Sequence, residues 1–325
     1  MKLRGGEPGR RFWLSYWLAS LSLLLLTGSA LGQSASPSLY AQATSAMLDR
    51  SFPSPRVEYL LLDLETSQTV ALRWAHPENP IPVGSLLKPF VALAYGQSHG
   101  GAALSGSAAG AFPVVHCHGK IDGCWRTKGH GSLQLEPALG QSCNAYFLAL
   151  ATDLSSSSAG RDSLRSVSAA YHLPAPPGLE SSSESSASAV PRKWIGVTPE
   201  WRIPPLALAN AYALLVSRID SRPQGKIVTR LIAGMRLAAS AGGTAAKVGS
   251  HPGGVLAKTG TAPCVPDSAS GRCVANGDGL VVLLTPADHP RLLLLVRQRG
   301  TTGAETAALA GQMLTRLEGA HAEAR

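Results

Sequence analysis

Ser85-Leu86-Leu87-Lys88, preceded by Gly84 and followed by Pro89-Phe90-Val91-Ala92-Leu93-Ala94, is the stretch from which the chain is best read. The apolar run after Lys88 predicts a helix, and proline is tolerated in a helix's first turn because the N–H it lacks there has no intrahelical partner. Positions i and i+3 share one helix face, so Ser85 and Lys88 stand together. A serine at a helix start meets the positive end of the helix, and a lysine one turn on takes its proton if the amine is partly neutral. Taken alone, the pair reads first as a polar couple at the mouth of an ordinary helix.

Outward from this point the chain divides. Upstream, Leu39 to Phe52 predicts an amphipathic helix with Leu39, Ala43, Ala46 and Met47 on one face. Val57 to Leu64 and Thr69 to Trp74 predict an antiparallel hairpin turning at Glu65 to Gln68. Near the other end, Gly254 to Thr261, Gly279 to Thr285 and Arg291 to Val296 predict three strands, and Gly303 to Leu317 a helix. Between them the chain is helical where periodic, as at Pro205 to Ser217. The fold class is therefore α/β (α+β), with one sheet drawn from both chain ends and a mostly helical part inserted into it. Gln97 to Gly110 and Pro174 to Val190 read as mobile surface loops from their Gly, Ala and Ser content.

Residues 1–33 are a separate unit. Lys2, Arg4, Arg10 and Arg11 precede an uncharged run from Phe12 to Leu31, the pattern of an export signal or a retained membrane anchor. The expected domain is residues 34–325, placed outside the cytoplasm: periplasmic, or on the outer face of the cytoplasmic membrane. The 325 residues, 45% hydrophobic, suffice for a sizeable core. The chain carries a net charge of +9, part of it in the leader, and on an exported domain a basic balance points to anionic envelope polymers or substrates ending in carboxylate rather than to nucleic acid, or equally to solubility alone.

Five cysteines in an exported protein suggest disulfides, and short loops from Cys117 to Cys124 and from Cys264 to Cys273 are the expected bridges, leaving Cys143 over. A zinc site from Cys117, Cys124 and one of His116, His118 or His130 is the sharper alternative, but the spacing matches no common finger. The three histidines are expected to be loop residues, and Cys143 to turn into the core.

Two further motifs carry chemistry. In Ser142-Cys143-Asn144 a second hydroxyl can relay a proton, and an amide can hold a substrate carbonyl and orient a lysine. Helix capping is the plain alternative. In Lys258-Thr259-Gly260-Thr261 the lysine supplies positive charge, the hydroxyls can bind a carboxylate, and glycine lets a substrate backbone lie close. Among eight lysines only Lys88 has a serine three residues before it, and among four asparagines only Asn144 has one two before it. That joint occurrence decides against the plain readings.

The three motifs, in this order, resemble those of the penicillin-recognising serine enzymes: penicillin-binding proteins and serine β-lactamases. Gly84 to Phe90, Cys117 through Cys124-Trp125, Gly129-His130-Gly131 and Ser142 to Phe147 are similar to the transpeptidase branch. Thr198-Pro199 leading into Leu206 to Tyr212 looks like that branch's helix behind the site. The resemblance implies an active-site serine acyltransferase that binds penicillin and acts on the D-Ala-D-Ala ends of peptidoglycan stem peptides. It makes Ser85 the nucleophile, Lys88 its base and Ser142 a catalytic partner. Asn144, Lys258, Thr259, Gly260 and Thr261 become substrate-binding residues, with the backbone N–H groups of Ser85 and Thr261 as oxyanion hole. It implies no cofactor and no metal, and gives stem peptides and β-lactams as ligands, with the membrane as a further partner if the leader is retained.

Serine β-lactamase, D,D-carboxypeptidase and a non-turnover penicillin sensor share these elements. No Glu-x-x-Leu-Asn segment lies between Ser142 and Lys258, and Asn144 stands where one β-lactamase class carries valine. The large amino-terminal domain of high-molecular-mass members is not expected, since little chain separates the leader from Ser85.

Overall fold

The computed structural model describes residues 38–100, 112–180, 189–219, 225–264 and 277–323. The leader, most of Gln97 to Gly110 and the serine run from Ser181 lie outside these residues. No helix among the described residues is long and apolar enough to cross a membrane.

In chain order the elements are α1 (Leu39–Ser51), β1 (Val57–Asp63), β2 (Gln68–Arg73), β3 (Ile81–Pro82), a 3-10 turn (Gly84–Leu87) running into α2 (Lys88–His99), β4 (Val115–Cys117), β5 (Gly131–Leu133), α3 (Leu135–Gly140), α4 (Asn144–Ser156), α5 (Ser158–Ala170), α6 (Val190–Trp194), β6 (Arg202–Ile203), α7 (Pro205–Ser217), α8 (Gly225–Ala239), β7 (Leu256–Ala262), β8 (Asp278–Thr285), β9 (Leu292–Arg299) and α9 (Gly303–Glu323). The main sheet has the order β2-β1-β9-β8-β7, antiparallel throughout. Both chain ends thus meet in one sheet, with β7 on its edge.

The central strands carry runs of consecutive apolar residues, Tyr59 to Leu62, Leu280 to Leu284 and Leu292 to Val296, because both faces of the sheet are covered there, and the two-residue period of a strand deals alternate side chains to two cores. Leu60, Leu62, Leu280, Val282, Leu284, Leu293 and Leu295 face the inserted helices, where they join Phe90, Leu150 and Tyr212. Tyr59, Leu61, Val281, Leu283, Leu294 and Val296 face the other way, onto α1 and α9 through Leu48, Ala310 and Leu314.

Two expectations need correction here. The buried face of α1 is Ala41, Thr44 and Leu48, while Leu39 is exposed. Leu48, fully buried, is the large side chain that reaches the core. It sets the rotation of the helix, and the alanines chosen from periodicity contribute too little surface to compete. The stretch from Pro174 is not free over its described part. Leu179 is buried, and the indole N–H groups of Trp201 and Trp194 donate to the carbonyls of Pro174 at 3.1 Å and Pro177 at 2.9 Å.

Candidate active site

Three elements converge on a cleft of about 500 Å³ lined by Ser85, Trp125, Ser142, Asn144, Thr259 and Thr261, among others. The first wall is the 3-10 turn carrying Ser85. Its backbone is fixed from behind by the buried Tyr212 hydroxyl, which donates to the Leu86 carbonyl at 2.8 Å. Lys88 opens α2 and is completely buried.

The second wall follows from how α3 ends. Ser142 N–H donates to the Leu139 carbonyl and Cys143 N–H to that of Ala138, a Schellman pair that needs a left-handed residue at its pivot. That residue is Ser142, at φ 50°. A serine held where glycine is usual aims its hydroxyl into the cleft, and the next residues start α4. Cys143 forms the cap position of α4 with no side-chain cap bond, so the capping alternative for this motif does not hold.

The third wall is β7. At Gly260 a Cβ would lie 2.7 Å from the Val83 carbonyl oxygen and 3.1 Å from Leu86 Cγ. The glycine expected to admit a substrate backbone is therefore required first by the chain itself: it lets the turn bearing Ser85 lie against the edge strand. Thr261 Oγ1 accepts from Gly303 N–H at 3.0 Å, and Thr259 Oγ1 donates to Thr244 Oγ1 at 2.7 Å. Thr244 was not singled out by the sequence. It sits in a turn after α8 and also donates to the Gly140 carbonyl at 3.3 Å, tying the second wall to the third. Gly196, Val197 and Thr302 likewise line the cleft without a motif to announce them.

The two lysines meet at Ser142. Lys88 Nζ donates to Asn144 Oδ1 at 2.6 Å, to the Ser142 carbonyl at 2.7 Å and to Ser142 Oγ at 3.3 Å. Lys258 Nζ, also fully buried, donates to Ser142 Oγ at 2.9 Å and to the Thr259 carbonyl at 2.7 Å. Lys88 is thus held by the second wall, and among the described residues its amine makes no hydrogen bond to Ser85. Lys258 stands behind the cleft surface, against Ser142, rather than on it.

Removal from water disfavours an ammonium. Burial lowers Lys88 to about 7, with partial compensation from the negative character of Cys143 and Cys124. Lys258 is pushed well below an ordinary lysine, by burial first and by the charge of Lys88 second.

The expected Cys117–Cys124 bridge is absent: Cys117, Cys124 and Cys143 are free and buried. Their sulfurs turn to a common point instead, where His130 Nδ1 joins them. His130 is thus more than a loop histidine, whereas His116 pairs with Ser132 and His118 with Asp122. Cys264 is disulfide-bonded, and its expected partner Cys273 lies outside the described residues.

The family described as "Penicillin binding protein transpeptidase domain" matches residues 73–316. Among curated proteins none matches the chain. Among solved structures the fold is similar to penicillin-binding protein 2 of Pseudomonas aeruginosa in complex with WCK 5153, at 18% identity over 86% of this chain and 76% of that one, TM-score 0.63. It is similar to the transpeptidase domain of Burkholderia pseudomallei penicillin-binding protein 3, at 16% identity, covering 86% and 93%, TM-score 0.61. It is also similar to PBPA of Mycobacterium tuberculosis, at 18% identity, covering 86% and 81%, TM-score 0.59. With the family matched over most of its length, the chain belongs to the penicillin-binding protein transpeptidase domain family, a family of penicillin-binding serine acyltransferases.

Proposed function

We propose that this chain is an exported D,D-transpeptidase working through an acyl-enzyme on Ser85, with residues 34–325 as its catalytic domain and residues 1–33 as a leader, cleaved or retained as an anchor. The observation that carries the reading is the convergence of Ser85, the Ser142–Asn144 wall and the β7 edge on one cleft with two buried lysines behind it.

The chemistry follows from that arrangement. Lys88, neutral above about pH 7, takes the proton of Ser85 Oγ, to which it swings as substrate is seated. The Ser85 oxygen attacks the carbonyl carbon of the penultimate D-Ala, and the resulting oxyanion is met by the backbone N–H groups of Ser85 and Thr261. Ser142, between both amines, passes a proton to the departing nitrogen as the C–N bond breaks and D-Ala leaves. Asn144 holds the substrate amide. Thr259 and Thr261 take the terminal carboxylate, while Gly260 keeps their strand close to Ser85. The amine of a neighbouring stem peptide then attacks the ester, restoring the serine and forming the cross-link. A penicillin enters by the same attack, but its leaving nitrogen stays tethered.

The test is covalent labelling with a fluorescent penicillin, followed by incubation with a D-Ala-D-Ala stem peptide and an amine acceptor. Labelling of the natural chain, none of a folded Ser85→Ala variant, and an amide-linked product are expected. Label on that variant sinks the site assignment; release of D-Ala with only the hydrolysed peptide sinks transpeptidation in favour of carboxypeptidase action.

A further inference from the structure

The acyl-transfer chemistry makes no use of the cluster beside the second wall. Cys117 ends β4, Cys124 follows a short 3-10 turn, His130 precedes β5 and Cys143 precedes α4. Their three Sγ atoms and His130 Nδ1 all lie within 4.8 Å of one another. Cys117 Sγ is 3.5 Å from His130 Nδ1, Cys124 Sγ is 3.4 Å from it, and the Sγ atoms of Cys124 and Cys143 are 3.9 Å apart.

A tetrahedral zinc ion, with Zn–S of about 2.3 Å and Zn–N of about 2.0 Å, sets S···S edges near about 3.8 Å and S···N edges near about 3.5 Å. The separations fit both kinds of edge. Sulfurs joined as a disulfide would instead lie about 2.05 Å apart. We infer that this chain holds a structural zinc ion through Cys117, Cys124, Cys143 and His130.

Three features support a metal over thiols packed as small apolar groups. All three cysteines are almost fully buried, as in a closed four-ligand site with no position left for water. The His130 ring turns its Nδ1 to two of the sulfurs. Apolar packing gives no reason to aim an imidazole nitrogen at two sulfurs in that way. Third, the loop is shaped to bring its ligands together: Gly129, at φ 74°, lies where a Cβ would meet the Cys117 carbonyl oxygen at 2.1 Å, and His130 N–H donates to that same oxygen. Three thiolates and one imidazole select zinc over the hard cations magnesium and calcium.

The site has a consequence for the cleft, and this part rests on the acyl-transfer reading. Cys143 lies between Ser142 and Asn144, and Asn144 Nδ2 donates to the carbonyl of Gly123, next to Cys124. The metal therefore pins both ends of the second wall and fixes the groups that hold Lys88.

The full chain, purified without chelator and passed through gel filtration, is expected to carry about one zinc per chain by elemental mass spectrometry. Exchange with cobalt(II) is expected to give the sulfur-to-cobalt charge-transfer band and visible bands of a tetrahedral thiolate site. Cys124→Ser and His130→Ala should each lower zinc affinity by at least about tenfold, with His116→Ala, outside the cluster, unchanged. A natural chain that copurifies with no zinc and takes up cobalt without these bands overturns the inference, even if the variants fail to fold. Stripping zinc should slow labelling by penicillin at least about tenfold; an unchanged rate in stripped, folded protein refutes the coupling to the second wall and leaves the metal content as a separate result.

Discussion

If Lys88 is the base, the rate of acylation must follow the fraction of its amine that is neutral. The side chain is completely buried, and burial is the main cause that brings it to about 7. A base whose pKa is depressed acts above that pKa and is lost as the pH falls through it. About a tenth of the amine is then neutral at pH 6 and about nine tenths at pH 8, a rise of roughly tenfold followed by a plateau. An ordinary lysine near 10.5 would have only about one molecule in three thousand neutral at pH 7, and its rate would climb tenfold per pH unit well past pH 9. The second-order rate of labelling by a fluorescent penicillin, measured from pH 5 to pH 10 by stopped reactions, separates the two. Because Lys88 and Lys258 share Ser142, the midpoint belongs to the pair, and it should lie near neutrality. A rate still rising tenfold per unit at pH 9, or one independent of pH throughout, would refute the base assigned to Lys88 and the role of burial in making it one.

Other outcomes follow from the same contacts. Gly260→Ala puts a methyl against the Val83 carbonyl, so thermal denaturation should show a loss of about 1–3 kcal/mol and labelling should slow; an unaffected chain would mean that the turn does not seat on β7 as described. Tyr212→Phe leaves the Leu86 carbonyl without its donor, at a cost of about 1–3 kcal/mol read from urea unfolding. The penicilloyl adduct is expected to persist for minutes or longer, since no carboxylate or imidazole lines the described cleft to activate water on the ester. Sustained hydrolysis of a chromogenic cephalosporin would contradict that.

The parts of this molecule that were legible in the sequence are those whose physics is local. Strands β1, β8 and β9 announce themselves by aliphatic runs, Leu60 to Leu62, Leu280 to Leu284 and Leu292 to Val296, because both faces of the sheet are covered there. Ser85 and Lys88 are readable because one helical turn fixes their relation. What was not legible depends on contacts far apart in the chain. Thr244 carries no motif, yet the end of α8 brings it between Gly140 and Thr259. The cysteines invited a local bridge from their spacing. Cys143, the residue that changes that reading, lies beyond β5 and α3, and only the packing of α4 against the loop returns it to Cys124.

The same distinction bears on how the site comes into being. The turn with Ser85 is followed at once by α2, so its local shape can form early, but the surface it needs belongs to β7. Among the described strands β7 pairs with β8 alone, β8 also with β9, and β9 reaches back to β1, so the edge strand is placed only when strands from the two ends of the chain have joined in one sheet. Closing so long a loop is entropically costly and is offset by the two cores that the sheet separates. Val281, Leu283, Leu294 and Val296, which point away from the cleft, therefore matter to it as much as residues near it. A cavity made there by truncating Leu294 to alanine loosens the sheet that sets the distance between Ser85 and the threonines of β7. Acylation should then fall together with stability although no cleft residue has changed.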